Sequence, residues 1–186
     1  MFERNPKVRA DMTSGALYAV SGEGGWIYYG QVTPDKRIGF FRFRRREIAE
    51  VSHVLAAPAM TVITVGVQSI TSALRSGRWK KLGRFAIASA IVEPRPSVQW
   101  PVGTLMVTVW TTEGTWGTRV EDPVIQDMEI AASWDAEHHV APRLTADFGE
   151  EEVPWHVGGP IRRERSIRQE MASRFPHQSW HALSID

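Results

Sequence analysis

The side chains with the most chemistry to offer are gathered at Asp135-Ala136-Glu137-His138-His139. Imidazoles and carboxylates together are the donor set of zinc and similar ions, and they move protons near neutral pH. The spacing does not complete such a centre. Adjacent histidines do not share a helical face, and the His-Glu-x-x-His pattern is absent. A mononuclear site would need a third ligand from His53, His156, His177 or His181. Turn capping and surface solvation are the expected roles here. No metal and no cofactor is expected.

Nucleophile sets are missing as well. The chain has no cysteine, so it has no thiolate nucleophile, thiolate ligand or disulfide. No Gly-x-Ser-x-Gly elbow occurs. Ser21-Gly22-Glu23-Gly24-Gly25 resembles a phosphate-cradling loop only superficially. It lacks the Gly-Lys-Ser/Thr ending and reads as a turn between two strands. No catalytic residue is expected.

Two charged features remain. Arg42, Arg44, Arg45 and Arg46 are interleaved with Phe40, Phe41 and Phe43, a mixture that can bind nucleic acid through charge and stacking. The favoured reading is a core strand whose arginines emerge at its end. Nucleic acid is therefore an alternative partner and not the expected one. The second feature is an acidic block. The net charge of +1 divides unevenly, with sixteen Lys/Arg against eight Asp/Glu in residues 1–120. Residues 121–152 carry ten Asp/Glu and only Arg143. Such a block either pairs within the fold or presents an acidic face to a basic partner. Eight tryptophans are spread along the chain; most should pack, and one or two suit interface anchors.

The elements that must position these groups are mostly short strands. Residues 1–14 read as a loose arm. Ala16–Val20, Trp26–Val32 and Ile38–Arg44 form an antiparallel meander, joined by glycine and proline turns. Ile38–Phe41 is apolar on both faces, as in a central or covered strand. Ile48, Val51 and Leu55 suit a short helix ending before Pro58. Met60–Val67 is rich in β-branched residues and reads as a strand. Ser69–Ser76 reads as a helix stopped by Gly77. Leu105–Trp110 and Trp116–Val120 pair across a turn. Asp135 is a candidate N-cap, followed by a turn of helix and a second helix starting near Pro142 and stopped by Gly149. A last helix spans Arg162–Phe175, with Ile167, Met171 and Phe175 on one stripe. The expected class is α+β: a mainly antiparallel, twisted or barrel-like sheet with a few short helices. A single domain over residues 15–160 is expected, followed by a C-terminal helix and tail over 161–186. The polar start lacks an apolar signal region, and the longest apolar stretch is too short to span a bilayer. A cytoplasmic protein with no membrane partner is expected.

Two blocks resemble a known family. Ser76-Gly77-Arg78-Trp79, led by the extended Met60-Thr61-Val62 segment and followed by Gly83, is similar to a stretch of the immunity protein 26 family. Glu129-Ile130-Ala131-Ala132-Ser133-Trp134-Asp135-Ala136-Glu137-His138 is similar to that family's later block. Gly15–Val20 and Tyr29–Val32 fit its first strand pair. The likeness covers roughly residues 15–148, judged by motif order. His139 and Pro142 depart from its pattern, and nothing beyond Gly149 matches. The resemblance implies an immunity protein of a bacterial polymorphic-toxin system, which binds and neutralises a cognate toxin in the producing cell. The acidic block suits a basic, nuclease-like toxin. It puts Glu121, Asp122, Asp127, Glu129, Asp135 and Glu137 forward as partner contacts. Some relatives carry a phosphotriesterase label, so a metal-dependent phosphotriester hydrolase using His138 is an alternative. A nucleic-acid-binding β-domain using Arg42, Arg44 and Arg45 is a second.

Overall fold

The computed structural model describes residues 1–149 and 159–177. In chain order the strands begin with β1 (Ala16–Ser21), β2 (Ile27–Val32) and β3 (Ile38–Arg45). Helix α1 (Val51–Leu55), β4 (Ala59–Val65), α2 (Val67–Ser76) and β5 (Trp79–Arg84) follow. Next come β6 (Ser97–Gln99), β7 (Met106–Trp110), β8 (Thr115–Arg119), β9 (Glu129–Ile130) and β10 (Ser133–Trp134). Helices α3 (Val140–Phe148) and α4 (Ile161–Arg174) close the order. The fold class is α+β, as expected.

The described chain groups into two compact units, residues 1–94 with 133–149, and residues 95–132 with 159–177. The sequence reading instead drew one domain across residues 15–160.

The first unit is built on a six-stranded sheet in the order β10-β4-β3-β2-β1-β5, curled into a half-barrel. Its pairs are antiparallel except β10, which runs parallel to β4. β1, β2 and the first half of β3 are buried on both faces, as the doubly apolar run Ile38–Phe41 anticipates. On one face Leu17, Ala19, Tyr29 and Phe41 pack with Val54 of α1 and with Ile91. On the other, Trp79 meets the rings of Tyr18 and Phe40 at 5.7 and 6.2 Å. Each such ring contributes about 1.5–3 kcal/mol through burial. Gly39 lets this layer close, because a Cβ there would lie 2.7 Å from the Ile91 side chain.

The arm departs from expectation, because residues 1–14 are pinned to the body. Phe2 N donates to Gly77 O, and Ala10 N to the Thr71 hydroxyl. Asp11 N donates to the Tyr18 hydroxyl, which donates back to Asp11 O. The Asp11 carboxylate accepts from Lys81 Nζ at 2.6 Å and from Arg84 at 3.4 Å. Polar residues without periodicity are held here by side-chain bonds, which leave no pattern in the sequence.

The second unit is a four-stranded sheet, β8-β7-β6-β9, with α4. β6, β7 and β8 are antiparallel and β9 is parallel to β6. Val98, Val107, Val109, Ile125 and Ile161 form its core. Residues 128–134 hold two two-residue strands, β9 and β10, one in each sheet. Pro142 lies in the first turn of α3, where its missing N–H has no helical partner to lose. Of the C-terminal stripe, Met171 is buried, Ile167 half-buried and Phe175 exposed. No helix among the described residues is long and apolar enough to cross a membrane.

Candidate functional site

Ser76–Trp79 and Trp134–His138 are more than 50 residues apart in sequence and meet in the first unit. α2 carries Ser76 at its end. Gly77 stops the helix in the left-handed conformation at φ 77° and returns N–H bonds to Ala73 O and Leu74 O. The chain then turns into β5 with Arg78 and Trp79. The Ser76 hydroxyl donates to Glu137 Oε1 at 3.1 Å, Arg78 to Glu137 O at 2.7 Å and the Trp79 indole to Ala136 O at 3.1 Å. From the other side, Gly66 N donates to Trp134 O, and Ala136 N to the Ser69 hydroxyl. The motifs thus form one latch tying the α2–β5 corner to the β10–α3 connection.

Two of the six expected contact residues belong to this latch. Asp135 accepts from the backbone N–H groups of Glu137 and His138 through Oδ1, the turn-capping role expected of it. Glu137 receives Ser76. The other four lie in the second unit. Glu121 pairs with Arg119 at 3.1 Å and Asp127 with Arg162 at 2.7 Å. Asp122 accepts from the Thr118 hydroxyl and from Val124 N. These two bonds hold its carboxyl below the usual carboxylate range. Glu129 is half-buried on β9. Among the six only Asp127 is fully exposed. Most of this acidic block is thus engaged by its own backbone and by neighbouring side chains.

His138 and His139 are both exposed, as are His53 and His177. Among the described residues no group of three His, Cys, Asp or Glu side chains is placed to hold a metal ion. His156 and His181 lie outside the described residues. Ser21–Gly25 is a turn between the antiparallel β1 and β2, as expected.

The largest apolar exposure on a sheet is in the second unit. The alternation Met106-Val107-Thr108-Val109-Trp110 puts Val107 and Val109 into the core and leaves Met106 and Trp110 about half exposed, at 52% and 48%. Across the pair, Trp116 of β8 sits opposite Val109 and is 40% exposed. β8 is an outer strand of this sheet, and among the described residues no strand pairs with its far side. Trp79, Trp100 and Trp134 are buried. Trp26 is half-buried, so Trp110 and Trp116 are the exposed tryptophans among the described residues, and the expectation of one or two interface anchors picks them out. Trp155 and Trp180 lie outside them.

The arginine run emerges from a core strand as expected. Phe40 and Phe41 are fully buried, while Arg42, Arg45 and Arg46 are exposed. Arg44 is the exception at 7% exposure. Compared with protein-family models, curated proteins and solved structures, the chain matches none.

Proposed function

We propose that this protein works by binding another protein, and that its ligand is a bacterial toxin neutralised in the cytoplasm of the producing cell. The observation that carries the reading is the apolar surface of the second unit's sheet. Met106 and Trp110 project from one face of β7, and Trp116, opposite Val109, projects from the other face on β8, the outer strand of that sheet. Half-exposed indoles and a thioether grouped on one small sheet are costly in water, and burial against a partner recovers that cost. The far edge of β8, unpaired among the described residues, offers its backbone groups to an added strand. The toxin itself enters through the resemblance of the two latch blocks to the immunity protein 26 family.

Deleting the gene should sensitise cells to a toxin encoded next to it, and restoring the wild-type chain should rescue them. A chain carrying both Trp110→Ala and Trp116→Ala should fold and fail to rescue. Losing two anchors of this kind weakens binding by roughly 2 kcal/mol or more each. Survival of the deletion strain would contradict the reading.

A further inference from the structure

We infer that the end of β3 is a binding site for single-stranded nucleic acid, built as a ladder of alternating guanidiniums and rings. Arg42 and Arg44 lie two residues apart on β3, so the pleat projects them from one face, and Arg46 follows one residue past the end of the strand. Trp26, just before β2, and Phe148, the last residue of α3, insert between them. The guanidinium carbons of Arg42 and Arg44 lie 5.5 and 4.7 Å from the Phe148 ring centre. Those of Arg44 and Arg46 lie 4.0 and 4.7 Å from the Trp26 ring. The ladder therefore runs Arg42, Phe148, Arg44, Trp26, Arg46. Arg45 stacks on Phe43 at 4.7 Å. All of these except Arg46 line a cavity of about 320 Å³.

Stacking occupies the faces of a guanidinium and leaves its in-plane N–H donors for other partners. Arg42 gives one hydrogen bond to Asp147 O, Arg46 one to Gly24 O, and Arg45 one to Arg44 O. All three acceptors are neutral carbonyls. Among the described residues none of these three exposed arginines forms an ion pair with a carboxylate. The carboxylates close in sequence are Glu23, Glu47 and Glu50, all exposed, Asp147, bonded to Arg143, and Glu150 to Glu152, outside the described residues. Arg44 is held inside the ladder, where it also donates to the Tyr28 hydroxyl at 3.3 Å. The result is a pre-ordered row of three exposed cationic donors, Arg42, Arg45 and Arg46, around the stacked and buried Arg44. A flexible polyanion whose phosphates can be matched to that row, and whose bases can stack on exposed guanidinium planes, satisfies it best. An acidic peptide would use the charge and leave the stacking surfaces unused. The site is separate from the sheet proposed for the toxin, and neither depends on the other.

The test is fluorescence anisotropy of the full-length protein with a labelled single-stranded oligonucleotide of about a dozen nucleotides, DNA and RNA in turn. Binding should be measurable at ~50 mM salt and fall with a log–log salt slope near −2, as for about three phosphate contacts on a single strand. The double variant Arg42→Gln/Arg46→Gln should flatten the slope by about one to two and weaken binding, with its melting midpoint recorded alongside. Should that variant fail to fold, Arg45→Gln carries the same expectation, with a slope smaller by about one. Lys7→Gln/Lys80→Gln, two exposed lysines outside the ladder, should leave binding unchanged. No binding at low salt, equal loss in the lysine variant, or equal competition by polyglutamate would each overturn the assignment.

Discussion

Gln31 is completely buried in β2 with its amide fully used. Its Nε2 donates to Gly15 O and Ala86 O, and its Oε1 accepts from Ala88 N at 3.0 Å. It stands in for strand pairing where β5 has ended and the chain must still be held against β1. Gln31→Leu keeps the volume and removes the partner of Ala86 O and Ala88 N, each costing roughly 1–3 kcal/mol if left unpaired, while Gly15 O keeps its bond from Phe85 N. We expect a loss of about 3 kcal/mol in chemical denaturation, with the slope of the transition unchanged. Arg143 and Asp147 make the same point with charge. They pair at 2.8 Å one turn apart on α3, at 1% and 8% exposure, and Arg143 lies 4.9 Å from the Trp134 ring centre. Asp147→Ala leaves a buried guanidinium without its counter-ion and should cost about 3–5 kcal/mol by the same measurement. In sequence Asp147 counts as one of ten acids in a block suggestive of a partner surface. Its burial shows that at least this charge serves the interior.

At the scale of elements, the N-terminal arm is the segment whose attachment depends most on ionisation. The Lys81 ammonium, the Thr13 N–H and the smaller field of Lys81 hold the Asp11 carboxyl well below the usual carboxylate range. A depressed carboxyl favours the docked arm above its unfolded value, near pH 4, and loses that contribution as pH falls toward its native value. Amide exchange of residues 2–13 should therefore accelerate below about pH 4 while β1–β3 stay protected. Equal protection of the arm at pH 3 and pH 6 would contradict this. The α2–β5 corner is the second sensitive point. A Cβ at Gly77 would lie 2.4 Å from Phe2 O, on a residue already at positive φ. Gly77→Ala should cost about 1–2 kcal/mol from the backbone conformation alone, and more as the arm is displaced. The helix stop at Gly77, the meander and the α2 helix were legible because glycine, β-branched runs and apolar period are local signals. The arm's docking was not, because it rests on single side-chain bonds between residues about 70 apart. The split of 128–134 into β9 and β10 was not legible either, since two residues of strand carry no period. The arginine row was visible at alternate positions. Trp26 and Phe148, which turn it into a ladder, come from elsewhere in the chain and could not be placed beside it. Met106 and Trp110 were readable as one strand face, but only the assembled sheet shows that this face has no cover among the described residues.

For the whole molecule, the latch and the exposed sheet divide the labour. The latch segments Ser76–Trp79 and Trp134–His138 are tied to each other by three hydrogen bonds, and two more tie the second of them to Gly66 and Ser69. Substitutions there should act through stability. Glu137→Ala should lower the melting midpoint by a few degrees, consistent with about 1 kcal/mol for one lost hydrogen bond, and leave partner affinity at low temperature unchanged. Substitutions on the second unit's sheet should do the reverse, leaving the melting midpoint in place and weakening the complex. The most direct measurement is calorimetric titration of the full-length chain with the purified, catalytically inactivated toxin encoded beside it, in parallel with the Trp110→Ala/Trp116→Ala variant. The account predicts one-to-one binding by the wild type and at least a ~100-fold weaker interaction for the variant. No heat of binding from the wild type, or undiminished affinity in a folded variant, would contradict it.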